Sequence, residues 1–344
     1  MSPRKKKARR LALVGKGPAE TSNVTYFAFI DQARAQPLAD AVHLAQATAT
    51  PTPLPDLLSG RYRLQRLLGV GGMGAVYRAR DLLREQFGDP DPFVALKVLN
   101  EDFADYPDAS ALLYSEFALT MRLRHPNVVR LYSFEVDSSC QRAFITLELM
   151  RGLTLDQLLC ERPQGLPWGE FQEIALALLD ALAYSHEQGV LHGDLKPSNV
   201  MLTESGLRLF DYGLGQAREG LVDGLPKLSR ERFDAWTPRY AAPELLEGAP
   251  LSPATDLFAA ACVLHELLGG SHPYRRLSAK QAKLEQLDLQ LQKPASLPRH
   301  CWSALRTALA LTADERQITA RELHEALRTT SSTGFGRWFR RHTG

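Results

Sequence analysis

Apolar residues recur with two different periods along this chain, and the change between them marks its organisation. Residues 62–68, 93–99 and 143–150 are short β-like runs that predict strands, the last leading into a connector. Between them, residues 108–122 follow a helical pattern, with Leu112, Leu113, Phe117 and Leu119 at its apolar positions and Asp108 as a candidate N-cap. Farther on, residues 170–188 carry Phe171, Ile174, Ala175, Leu178 and Leu182 along one face, with Gly189 as a C-terminal stop. Residues 253–268 are apolar on more than one face, which predicts a helix inside a larger body. The runs 200–202 and 207–213 flank a turn at Gly206. Residues 1–59 stand apart. There, 24–30 reads as a strand and 38–47 as a short helix, before Pro51, Pro53 and Pro55 form a stiff linker. No internal repeat is visible.

Composition narrows the class. The chain has 344 residues, enough for two sizeable cores, and a formal net charge of +2 that argues against a bulk polyanion partner such as nucleic acid. Cys140, Cys160, Cys262 and Cys301 lie far apart without paired spacing, which fits neither a zinc site nor a disulfide framework and suits a reducing compartment. No apolar run is long enough for a transmembrane helix. The basic stretch from Arg4 to Arg10 is followed only by Leu11 to Val14, too short for a signal-peptide core, and reads as a solvated tail. The ending, Gly334 to His342, mixes aromatics and arginines. It could dock on a membrane surface, weakly and together with the basic start, on a partner or on the rest of the chain, or be a frayed, solvated end.

The chemistry concentrates in residues 191–199. Asp194, Lys196 and Asn199 place a carboxylate, an ammonium and an amide within one short loop. Phosphoryl transfer needs that set: a base for a hydroxyl, a cation for the moving phosphoryl group and an oxygen for Mg²⁺. Asp211 ends an apolar run beside Gly213 and, with Asn199, supplies a second oxygen ligand. Mg²⁺ is held by few carboxylates plus substrate phosphates, which this pair matches. Upstream, Gly69, Gly71 and Gly74 suit a strand–turn–strand lying close over phosphates. Val76 and Tyr77 continue as β-type residues, which favours a hairpin over the helix that a dinucleotide fold would open.

Taken together, these stretches resemble the bacterial, Hanks-type serine/threonine protein kinases. The resemblance rests on Gly69–Val70–Gly71–Gly72–Met73–Gly74, Val94–Ala95–Leu96–Lys97, His125–Pro126–Asn127, His192–Gly193–Asp194 with Lys196 and Asn199, Asp211–Tyr212–Gly213, and Thr237 to Glu244. It implies an α+β, two-lobed fold: a small, mainly antiparallel-β N-lobe with one key helix at about 60–147, and a larger, mainly helical C-lobe at about 151–330. Residues 1–59 would be a basic, partly disordered appendage, and 331–344 a tail. It also implies ATP held by the glycine loop, Val76, Ala95, Lys97, gatekeeper Leu147, hinge residues Glu148 and Met150, and Met201. Glu116 would orient Lys97. Asn199 and Asp211 would hold Mg²⁺, with Mn²⁺ as the alternative. Asp194 and Lys196 would act on Ser/Thr hydroxyls of protein substrates, including the kinase's own. Thr237 and Asp256 would brace the catalytic loop, and Arg316 would pair with Glu244. A cytoplasmic location follows.

Two other classes share part of this pattern. A small-molecule phosphotransferase shares the His-Gly-Asp loop, but Lys196 and the 237–244 segment favour protein substrates. A non-catalytic scaffold would lack one of the catalytic groups, and none is missing. The informative departure is Gly193, where many of these kinases carry an arginine that meets an activation-segment phosphate. Without that cation, Ser229 is the remaining candidate switch, and activity is expected to depend little on its phosphorylation.

Overall fold

The computed structural model describes residues 54–70, 74–99, 109–213, 215–217 and 237–328. The readings placed on 1–53, the turn 71–73, Asp108, Ser229 and the tail from 329 lie outside these residues.

The N-lobe is one antiparallel sheet. It contains β1 (Leu57–Leu58), β2 (Tyr62–Val70), β3 (Gly74–Asp81), β4 (Phe93–Leu99), β5 (Leu131–Asp137) and β6 (Arg142–Leu147), in the order β1-β2-β3-β4-β6-β5. Side chains alternate across it, so each face has its own core. Tyr62, Ala79, Val94, Leu96, Val98 and Phe144 fill one face. On the other, Leu99, Ala143 and Ile145 pack with Leu113 and Phe117 of helix α2 (Ala109–Thr120). Helix α1 (Leu82–Gln86) starts from Asp81, whose buried carboxylate accepts the Leu83 N–H and both forks of Arg61.

Two departures from the pattern matter. Leu57–Leu58 falls within the stretch assigned to the appendage, yet Leu58 is fully buried and pairs with Tyr62, so the sheet begins before residue 60. The Asp137 carboxylate fixes that edge by accepting the Ser59 N–H. The strand read at 143–150 ends at Leu147. Residues 148–150 are a connector tied by a Glu148 N–H bond to the Arg130 carbonyl, 2.9 Å.

The C-lobe opens with β7 (Gly152–Thr154) and α3 (Leu155–Glu161). Its central helices are α4 (Trp168–Glu187) and α5 (Pro253–Gly269). Helix α5 starts with a Ser252–Thr255 capping box and Pro253 in its first turn, and stops at Gly270, φ +69°. It is buried on every side, as its all-round apolar pattern requires. Helices α6 (Arg299–Ala308) and α7 (Ala320–Arg328) complete one continuous core with α4 and α5. On top lie the short β8 (Val190–Leu191) and the pair β9 (Val200–Thr203) and β10 (Gly206–Leu209). The loop from β8 to β9 carries Asp194, Lys196 and Asn199, and Asp211 follows the end of β10. No helix among the described residues is long and apolar enough to cross a membrane.

Candidate active site

Register alone gathers the upper wall of the site. Val76 lies opposite Lys97, and Ala95 lies opposite Leu147. Ala95 and Lys97 are two residues apart on β4, so all four side chains share one face. Gly69 pairs with Val76 at the end of β2. The flanking glycines differ in their reasons. A Cβ at Gly74 would lie 2.5 Å from the Val98 carbonyl oxygen, whereas one at Gly69 would meet open space. Gly74 is therefore required by strand packing, and Gly69 leaves its backbone accessible.

Helix α2 brings Glu116 to the same face. Lys97 Nζ donates to both Glu116 oxygens and to Asp211 Oδ1, each at 2.7 Å. Burial disfavours the Lys97 ammonium, but the Asp211 and Glu116 carboxylates outweigh it and raise its pKa. Burial likewise opposes ionisation of Asp211, and Lys97 overcomes it, lowering its pKa to about 2. Asp211 has φ +66°, a strained backbone for a residue other than glycine and one of the few that Asp tolerates. The contact between Lys97 and Asp211 was not foreseen, because nothing local links residues 114 positions apart.

The lower wall is the 191–199 loop. Asp194 Oδ2 accepts from Lys196 Nζ at 2.5 Å, and the same ammonium donates to Thr237 Oγ1 at 3.2 Å. Burial raises the Asp194 pKa, against the pull of Lys196. Asn199 Nδ2 donates to the Asp194 carbonyl at 2.8 Å, leaving Oδ1 as its acceptor end. The donor set for a divalent cation is then the Asn199 and Asp211 oxygens. Two protein oxygens suit Mg²⁺, which keeps waters and phosphate oxygens as its other ligands.

Buried groups beneath the loop hold it. Asp256 accepts the His192 N–H at 2.8 Å and the Gly193 N–H at 2.9 Å, and is 3.0 Å from His186 Nε2. Burial opposes its charge, yet these donors lower its pKa. Gly193 has φ +83°, so an arginine here would need a strained backbone as well as room. The His192 ring lies against Tyr212, and its Nε2 is 3.0 Å from the Phe210 carbonyl. The Tyr212 hydroxyl is 2.8 Å from Ser185 Oγ, which donates to Ala181 O at 2.9 Å, so Tyr212 is the donor to Ser185. Sequence reasoning missed Ser185 and His186. Both are ordinary residues of an amphipathic helix, and no sequence signal marks them.

Beyond β6, the Glu148 side chain accepts from Arg130 N at 2.9 Å and Arg208 Nε at 3.2 Å. Met201 lies on β9 opposite Arg208, partly exposed, and Met150 is in the connector. Arg316, its side chain wholly buried, bonds Glu244 at 2.6 Å and the Ala254 and Ala310 carbonyls. Gly71, Gly72 and Met73 lie outside the described residues, and Val70 ends β2.

Comparison with known proteins gives one consistent answer. Residues 62–327 match the protein kinase domain family. The serine/threonine-protein kinase PkaA of Streptomyces coelicolor is 33% identical over 290 residues, covering 80% of this chain and 50% of that protein. PknH of Mycobacterium tuberculosis, also a serine/threonine-protein kinase, is 31% identical over 278 residues, covering 78% and 42%. The chain thus spans about half or less of these relatives' length. The crystal structure of the Mycobacterium tuberculosis PknI kinase domain superposes with a TM-score of 0.57 at 27% identity, covering 82% of this chain and 99% of that one.

Proposed function

The chain belongs to the protein kinase domain family, and from that premise we propose that it transfers the γ-phosphate of ATP to Ser and Thr hydroxyls of proteins, its own included. The observation that carries this reading is a pair of neighbouring ion clusters, close enough for Asp211 and Asp194 to influence each other's charge. Lys97 with Glu116 and Asp211 forms the upper cluster, and Asp194 with Lys196 and Thr237 the lower.

In this reading the adenine lies against Val70, Val76, Ala95, Leu147, Met150 and Met201, along the Glu148 hinge backbone. Gly69 to Gly74 cover the phosphates, and Lys97 holds them in a direction fixed by Glu116. Asn199 and Asp211 would hold Mg²⁺, which when bound would neutralise phosphate charge. Asp194 aligns the acceptor hydroxyl and takes its proton. Lys196, held between Asp194 and Thr237, places its charge where negative charge develops on the phosphoryl oxygens. Thr237 begins the 237–244 segment that carries the protein substrate, and the Arg316–Glu244 pair anchors its far end. With Gly193 beside Asp194, no cation from that position meets an activation-segment phosphate, so activity depends little on Ser229. The free cysteines among the described residues suit the cytoplasm.

The test is to incubate the chain with labelled ATP and Mg²⁺, offering a generic basic protein and, separately, small alcohols. Label on Ser and Thr of the protein and of the chain itself is the expected result. Label on the small alcohols alone would make it a small-molecule phosphotransferase, and no transfer to any acceptor would make it a scaffold.

A further inference from the structure

The face that carries Val76 and Lys97 continues outward into arginines that the phosphoryl-transfer site does not use. Arg63 on β2 lies directly opposite Arg80 on β3, and Arg66 lies opposite Arg78. Arg78 and Arg80 alternate with Ala79, so they share the Val76 face. Their β4 partners, Ala95 and Phe93, share it with Lys97. Cross-strand partners stand about 4.5–5.5 Å apart at Cβ, and like charges so placed repel. Two such rungs are adjacent here, about 7 Å apart along the strand.

Little around them relieves that repulsion. The Glu85 carboxylate pairs with Arg80. Phe93 lies under both guanidinium groups of β3, 3.9 Å from Arg78 and 5.1 Å from Arg80. Such stacking orients the groups and neutralises no charge. Arg78 Nε is buried without a hydrogen-bond partner, so the ring and not an acid holds this side chain. Arg63 and Arg66 are exposed, with no acidic partner among the described residues.

We propose that this face binds a phosphorylated segment of a protein, the phosphate monoester bridging the arginines of the two rungs. A phosphorylated side chain carries about −1.5 to −2 charge at neutral pH, which offsets most of the charge that the four arginines retain beside Glu85. A carboxylate or a nucleic-acid phosphodiester brings a single charge. Arginine's planar fork binds phosphate oxygens in pairs. Glu85 and Asp91 lie at the outer end of the patch and disfavour a long polyanion. The occupant sits at the outer mouth of the cleft, beside the Arg151–Asp91 pair that joins the hinge to the β4 turn at 2.8 Å.

The experiment is fluorescence anisotropy on the full chain, saturated with ADP and Mg²⁺. The probes are a labelled peptide with one phosphothreonine, the same peptide with threonine, and a labelled single-stranded oligonucleotide. The phosphopeptide is expected to bind at least tenfold more tightly than either other probe. The Arg63→Gln/Arg66→Gln variant, changed only at exposed positions, is expected to lose tenfold or more while keeping its melting temperature and its transfer to the basic protein. Equal binding of the two peptides, tighter binding of the oligonucleotide, or unchanged binding by a folded variant overturns the assignment. If the variant fails to fold, the comparison of probes on the unaltered chain still decides.

Discussion

The two lobes bury their side chains in different ways. N-lobe apolar residues divide into two small clusters on opposite faces of one sheet. C-lobe apolar residues form one cluster through α4, α5, α6 and α7. The groups assigned to the nucleotide ride on the thin layer, where Lys97 is held by partners from a helix and from the other lobe. Those assigned to the hydroxyl are set by charges inside the thick one, with Asp256 only 2% exposed beneath the loop. The C-lobe site is therefore fixed by the core itself, while the N-lobe site depends on three separate elements meeting.

The sharpest way to break that comparison is at the loop. Asp194→Ala should lower turnover by about 10²–10⁴-fold, the usual worth of a general base, while leaving ATP affinity nearly unchanged. Undiminished initial rates on an added protein would remove Asp194 from its role. Beneath the loop, Asp256→Ala should cost about 3–5 kcal/mol of stability, because it strips partners from His186 and two buried N–H groups. A urea denaturation curve measures this. A loss below 1 kcal/mol would mean that the loop is held mainly by packing.

In the N-lobe, Lys97→Arg keeps the charge but cannot reproduce three bonds of 2.7 Å from one nitrogen. A misplacement of that size should lower kcat/KM for ATP on the order of 10²-fold with little change in melting temperature. Near-normal kcat/KM would show that the lysine acts as a diffuse charge. A smaller effect is expected at Tyr212. Ser185→Ala leaves a buried phenol without its acceptor and should cost about 1–3 kcal/mol. Adding Tyr212→Phe should recover most of that loss. If the double variant is no more stable than the single, the hydroxyl pair contributes nothing beyond packing.

The last prediction concerns pH. Burial holds His272 neutral in the C-lobe, with its pKa lowered to about 3, and shifts His192 and His265 the same way. The unfolded chain takes up these protons near the ordinary histidine value of about 6.5. Stability from these groups is therefore complete above that value and declines as pH falls toward the folded pKa values. The urea midpoint should drop between pH 7 and pH 5. No histidine occurs among the described residues of β1 to β4, so hydrogen exchange should place this acid sensitivity in the C-lobe. A flat midpoint over that range would refute it.

The sequence by itself determined the pieces whose geometry is local. Asp194, Lys196 and Asn199 lie within six residues, so any fold of that loop keeps them together. The amphipathic period of 170–188 and the all-round apolar 253–268 each require a helix and a core to receive it. Tertiary structure decided what depends on where distant elements stop. It brought Lys97 to Asp211, Asp256 to His186 and the loop, Tyr212 to Ser185, and Leu58 into the first sheet. Strand register, which no short motif encodes, set Arg63 against Arg80 and Arg66 against Arg78. A motif is legible because the backbone limits how its few residues can be arranged. A buried charge finds its partner only after the hydrophobic cores have fixed the positions of helices and strands.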